Sequence, residues 1–162
     1  MDVTDETKVK RVWSRVMNVP GAQTPPQASD CACRITPEQT AALVRAELDS
    51  AAAYRYLSCR VCGCARRTLQ RLAEQERCHA KKLAAYYFLL TGKKLCSAPA
   101  KPACVSCVNE TLRQLYEKER MDARRYRELA PLAGERGCTF QTLSREEEEH
   151  AQKIFCILQK TL

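Results

Sequence analysis

The sequence predicts an all-α protein: a four-helix bundle preceded by a short N-terminal helical segment. Three observations lead there. Helix formers such as Ala, Leu, Arg, Glu and Gln dominate the 162 residues, while glycine (5) and proline (7) are sparse. Four long segments carry inward positions at alternating steps of three and four. A constellation of Glu, Tyr and Glu-x-x-His also occurs twice, offset by 71 or 72 residues.

The elements follow in order. Residues 5–17 can form a short amphipathic helix with Val9, Val12, Trp13 and Val16 on one side. Trp13 reads as an apolar anchor or partner contact. Residues 18–34, rich in Pro, Gly, Ser and Gln, read as a linker. This divides the chain into an N-terminal segment and linker, 1–36, and a bundle domain, 37–162. Thr36-Pro37-Glu38-Gln39 announces the first bundle helix, with threonine at the cap, proline in the first turn and glutamine three beyond the cap. That helix is expected over 37–60, the second over 65–91 until Gly92, the third over 106–132 and the fourth over 139–160. Gly63 marks the first turn, 92–105 is a connection, and Pro131, Gly134 and Gly137 end the third helix.

The only two histidines, His79 and His150, each follow a glutamate by three positions, Glu76 and Glu147. Upstream glutamates, Glu47 and Glu119, precede those pairs by 29 and 28 residues, and each is followed seven residues later by a tyrosine, Tyr54 and Tyr126. In helical phase these residues share the stripe that otherwise holds Leu43, Leu57, Leu69, Leu72, Leu83, Tyr86, Leu90, Leu112, Leu115, Leu129, Leu143, Ile154 and Ile157, together with Ser50 and Asp122. Surface glutamates would not fall on an apolar stripe four times. Glu146, Glu148 and Glu149 fall off it and read as a solvated face.

Four carboxylates in an apolar interior require compensating cations, because an unpaired buried charge costs on the order of several kcal/mol. Two divalent ions match that charge. A Glu-x-x-His turn presents a carboxylate and a ring nitrogen on one face, and two such turns plus two single glutamates make a bimetallic carboxylate site. Oxygen-rich ligation with one imidazole per metal suits iron or manganese better than structural zinc.

On this doubled motif the chain resembles the rubrerythrin-like branch of the ferritin-like di-iron carboxylate proteins, over about residues 37–160. The resemblance implies a ferritin-like four-helix bundle with a long crossover between helices two and three. The 92–105 connection can span that length, since it reaches about 45 Å at ~3.3 Å per residue against about 33 Å for a 22-residue helix. It implies Glu47, Glu76, His79, Glu119, Glu147 and His150 as both metal ligands and catalytic centre, holding two iron ions, with manganese or a mixed pair as alternatives. The glutamates of the two Glu-x-x-His pairs would bridge the metals. Tyr54, Tyr126 and Asp122 would lie just outside the ligands, with the tyrosines hydrogen-bonding ligand carboxylates. Asp122 stands where rubrerythrins carry an additional glutamate.

The rubredoxin module of rubrerythrins is absent: Cys59-x-x-Cys62 and Cys104-x-x-Cys107 lie far apart in sequence. Electrons are therefore expected from a separate donor protein. In the crossover topology Cys59, Cys62, Cys64, Cys104 and Cys107 gather at one bundle end and Cys31, Cys33, Cys96 and Cys138 at the other. The eleven cysteines read as disulfide or packing residues, with a cysteine-ligated zinc or iron centre and thiol redox chemistry as alternatives. Cys78 reads as a packing residue.

A net charge of +8 is spread over helices without interleaved aromatics, as in Arg66, Arg67, Lys81, Lys82, Arg124 and Arg125, which argues for solvated faces rather than a nucleic-acid surface. No apolar run is long enough for a membrane span, and the acidic N-terminus lacks a signal-peptide core, so a cytoplasmic location is expected. The expected activity is di-iron peroxide reduction or dioxygen activation by a homodimer. Ferroxidase or iron-handling action, and a structural di-metal role without turnover, are the alternatives.

Overall fold

The computed structural model describes residues 34–96 and 107–161, so the expected helix at 5–17, Trp13 and the 18–33 linker lie outside the described residues. The described residues form one compact unit. Its elements are α1 (Pro37–Ser58), α2 (Gly63–Thr91), α3 (Val108–Leu129), a 3₁₀ segment (Ala130–Arg136) and α4 (Gly137–Thr161), and no strand occurs among the described residues.

Local chemistry sets the ends. At α1 the Thr36 hydroxyl accepts from the Gln39 amide (3.1 Å) while the Gln39 side chain accepts from the Thr36 amide (2.9 Å), a reciprocal capping box over Pro37. Gly92 closes α2 in the left-handed region (φ 67°), donating its N–H to the Phe88 carbonyl. The third helix stops at Leu129 rather than continuing to 132, because Pro131 and Gly134 (φ 57°, ψ −130°) turn the chain into the 3₁₀ segment.

Two apolar clusters sandwich a polar layer, and their membership gives the topology. One contains Leu43, Val44, Leu83, Tyr86, Tyr126, Phe140 and Leu143. The other contains Tyr54, Leu57, Leu69, Leu72, Leu112, Leu115, Ile154 and Ile157. Reading along the chain, α1 and α4 run from the first cluster to the second, whereas α2 and α3 run from the second to the first. Helices α1 and α2 are therefore antiparallel, as are α3 and α4, and each pair packs along its length. Helices α2 and α3 are parallel, so the end of α2 and the start of α3 lie at opposite ends of the bundle. These helix directions are those expected of a ferritin-like bundle; residues 97–106 of the connection lie outside the described residues.

The expected inward stripe differs at two places. Leu90 is 41 % exposed, since it lies in the last turn of α2, beyond the last buried position, Tyr86. Leu129 is only partly buried. No described helix is long and apolar enough to cross a membrane.

Gly137 starts α4 where a Cβ would stand 2.7 Å from the Ala130 carbonyl oxygen. Gly137→Ala is expected to lower stability by about 1–3 kcal/mol, through overpacking against a backbone atom that cannot rotate away. Chemical denaturation of the metal-free protein checks this.

Candidate metal centre

The polar layer contains Glu47 on α1, Glu76 and His79 on α2, Glu119 on α3, and Glu147 and His150 on α4, none more than 1 % exposed. Each Glu-x-x-His pair occupies one helical turn, which aims both side chains across the bundle axis. His79 Nδ1 lies 2.7 Å from Glu147 Oε1, and His150 Nδ1 lies 2.7 Å from Glu76 Oε1. His150 Nδ1 is also 2.9 Å from Glu147 Oε2 and His79 Nδ1 3.9 Å from Glu76 Oε2. The two imidazoles stack with centroids 5.2 Å apart and planes 12° from parallel. One ligand atom from each of these four residues lies within 4.8 Å of the others.

The single glutamates are held from the opposite pair of helices. The Tyr54 hydroxyl on α1 donates to Glu119 Oε1 on α3, and the Tyr126 hydroxyl on α3 donates to Glu47 Oε1 on α1. Glu47 abuts Glu76, and Glu119 abuts Glu147. The six residues are thus brought together in one buried cage.

The cage is incomplete as protein alone. Ten buried side-chain polar atoms among the described residues lack a hydrogen-bond partner, and nine belong to these six residues. They include both Nδ1 atoms, all four oxygens of Glu76 and Glu147, and the remaining oxygens of Glu47 and Glu119. Each orphaned buried atom costs about 1–3 kcal/mol. Lone pairs left free toward a common centre, with oxygen and imidazole donors in this ratio, fit a pair of metal ions.

Electrostatics say the same. Burial first, then contact with Glu47 and the charges of Glu119, Glu147 and Glu47, push Glu76 well above the usual carboxylate range. Burial and Glu147 likewise raise Glu119, against the pull of Lys118 and the Tyr54 hydrogen bond. Burial also works to raise Glu147, but His150 and His79 hold it below the ordinary value. For His79, burial lowers the pKa while Glu147, Glu47 and Glu146 more than offset it, leaving the ring raised. Cations in the cage would remove this conflict by favouring every carboxylate as the anion.

Two residues were assigned to the solvated faces and belong instead to the centre's surroundings. Glu146 Oε2 accepts from His79 Nε2 (3.0 Å) and from the Lys82 ammonium (2.7 Å). Its position directly before a ligand glutamate was the available signal: a residue there can reach across to the neighbouring helix's histidine. The Lys82 ammonium contributes to holding Glu146 below its ordinary pKa, against the burial that raises it. A cleft of about 640 Å³ opens on this α2–α4 face, lined by Gln75, Cys78, His79, Lys82, Glu146 and Lys153 among others. Cys78, expected to pack, is exposed at this cleft because it lies one position off the buried stripe.

Asp122 is buried and forms an ion pair with Lys118 one turn away, which directs its carboxylate at an ammonium. The nearby carboxylates of Glu119, Asp122 and Glu47 overcome the burial that would lower Lys118, and raise its pKa.

A family model described as a ferritin-like domain matches residues 38–160. The chain belongs to the ferritin-like domain family. Neither a curated protein nor a solved structure matches it. The ferritin-like match spans all four helices and hence every residue of the cage.

None of the described cysteines is among the cage residues. Cys59, Cys62, Cys64 and Cys107 do sit at the bundle end where α1 ends and α2 and α3 begin, and Cys138 sits at the start of α4. All these, with Cys78, Cys96 and Cys156, are free and exposed, and no described cysteine joins a group able to hold a metal ion. Cys31, Cys33 and Cys104 lie outside the described residues.

The charge conflict sets a pH dependence for the metal-stripped protein. Glu76 and Glu119, raised above 4.5, and His79, raised above 6.5, contribute stability that is present at acid pH and lost as pH rises through their folded values. Glu147, held low, contributes stability lost only as pH falls below 4.5, so it adds no slope in the neutral range. The melting temperature of the stripped protein is thus expected to fall as pH rises from weakly acid through neutral. Loading with divalent metal should reverse that slope, because ligation then competes with protons. Thermal melts of both forms across that range check the sign.

Proposed function

We propose that this ferritin-like protein is a non-haem di-iron oxidoreductase of rubrerythrin type that reduces hydrogen peroxide. The observation that carries this is the concentration of orphaned buried atoms on Glu47, Glu76, His79, Glu119, Glu147 and His150. Those six side chains would hold the two ions. When bound, a pair of iron(II) ions supplies the two electrons that, with two protons, convert one peroxide into two waters.

The chain's own residues supply position and exclusion. Tyr54 and Tyr126, both fully buried, fix the flanking carboxylates through their hydroxyl protons and leave one oxygen of each free. Glu146 accepts a hydrogen bond from His79 Nε2–H, which leaves the Nδ1 lone pair facing the cage. The apolar clusters above and below keep bulk water from the centre, and the α2–α4 cleft gives a small oxidant a polar approach to His79. Asp122 is committed to Lys118, which supports a six-residue ligand set. Reducing equivalents would come from a separate one-electron donor protein.

Anaerobically iron-loaded protein tests this. About two irons per chain are expected, with one peroxide consumed per pair and sustained turnover with a reduced donor. Glu76→Ala with Glu147→Ala should cut bound iron well below one per chain and abolish turnover. Sustained oxidation of added iron without peroxide turnover would favour iron handling instead, and loaded protein inert to both would leave a structural role. Solution mass separates a dimer from a storage cage.

A further inference from the structure

The two halves of the bundle exchange contacts reciprocally, and one pair of equivalent positions breaks the rule. The repeat relates Glu76 to Glu147, His79 to His150 and Lys82 to Lys153, each by 71 residues. The contacts follow: His79 to Glu147 at 2.7 Å is mirrored by His150 to Glu76 at 2.7 Å. The same shift relates Glu146 to Gln75. Glu146 accepts from Lys82 (2.7 Å) and from His79 Nε2 (3.0 Å). Gln75 accepts from Lys153 (3.3 Å), yet His150 Nε2 is fully buried and has no partner. A carboxylate thus backs one imidazole and an amide stands at the equivalent place near the other.

We propose that Glu146 is a positioning residue that makes the two metal positions unequal, the ion bound at His79 being held more tightly than the ion at His150. This rests on the di-metal reading of the cage. A carboxylate accepting the Nε2 proton fixes the tautomer with Nδ1 unprotonated and makes that nitrogen the stronger donor. It also places a negative charge one imidazole away from the bound cation. Gln75 supplies no charge and does not reach His150, whose tautomer is left unfixed. Removing such an outer partner costs about 10- to 100-fold in metal affinity. Inequality of that size lets the ions load in order, and lets one position keep its metal while the other exchanges.

The chain has two histidines, so ring-nitrogen NMR of histidine-labelled protein resolves each position separately. Metal-stripped protein is titrated with zinc(II), a diamagnetic probe. The His79 ring is expected to shift to its bound value first, with His150 following at least about tenfold higher in free metal. Glu146→Gln should remove most of that gap while two zinc ions still bind. Gln75→Glu, which keeps Glu146, should tighten the His150 position, and the double exchange should reverse the order. Gln75 and Glu146 lie outside the ligand set, and thermal melts of each stripped variant confirm folding. Simultaneous saturation of both rings in the natural chain, or an order that Glu146→Gln leaves unchanged, overturns the proposal. Failure of the natural chain to bind zinc at either ring overturns the di-metal reading and the asymmetry with it.

Discussion

Four carboxylates enclosed between two slabs of hydrocarbon are the constraint from which the rest of this structure follows. Glu47, Glu76, Glu119 and Glu147 are all at most 1 % exposed, and Glu76 and Glu147 pair with the imidazoles of His79 and His150. Taking such charges out of water costs on the order of several kcal/mol each. Two tyrosine hydroxyls, two imidazoles and the nearby Lys118 ammonium address that cost, and they leave most of the ligand oxygens unsatisfied. A polar layer of this kind is tolerable only if something cationic completes it. That is why the apolar clusters stop on either side of it instead of merging into one core.

The internal repeat explains how one chain builds that layer. The tyrosine–glutamate and histidine–glutamate contacts between the halves come in repeat-related pairs: Tyr54 with Glu119 and Tyr126 with Glu47, His79 with Glu147 and His150 with Glu76. Each half therefore completes the other, and neither hairpin alone could satisfy its own ligands. The offset is 72 residues for the glutamates and tyrosines of α1 and α3 but 71 for the pairs on α2 and α4. The slip falls between tyrosine and Glu-x-x-His, where the first half has a short turn at 59–62 and the second a 3₁₀ segment with a left-handed Gly134. A slip inside a helix would rotate the ligands by about 100° away from the cage. In the connection it leaves helical phase intact.

Much of this was legible in the sequence because it is periodic. The stripe of threes and fours, the Thr36 capping box and the doubled constellation all involve residues near one another along the chain, so their geometry follows from helix parameters alone. What was hidden depends on how one helix faces another. Glu146 looked like part of an acidic run, and Lys82 like one basic residue among many; only the docking of α4 against α2 joins them at His79. Leu90 continued the pattern of α2 but outran the length over which α2 has a neighbour. Cys78 has the size of a packing residue, whereas its angular position beside the cleft decides its exposure.

The cage is also unequal in how it meets solvent, and this bears on what chemistry suits it. Across α1 and α3 it is closed by Tyr54 and Tyr126, both fully buried, each spending its proton on a carboxylate of the opposite helix. Across α2 and α4 it is screened by Glu146 and the two lysines, Lys82 and Lys153, at the wall of an open cleft. A polar cleft thus reaches the cage from the side of His79. A purely structural ion pair would gain nothing from such an opening, since burial on all sides would hold it better. A centre that must exchange oxidant, water and protons while keeping its metals needs a sealed side to anchor it and a polar side to serve it.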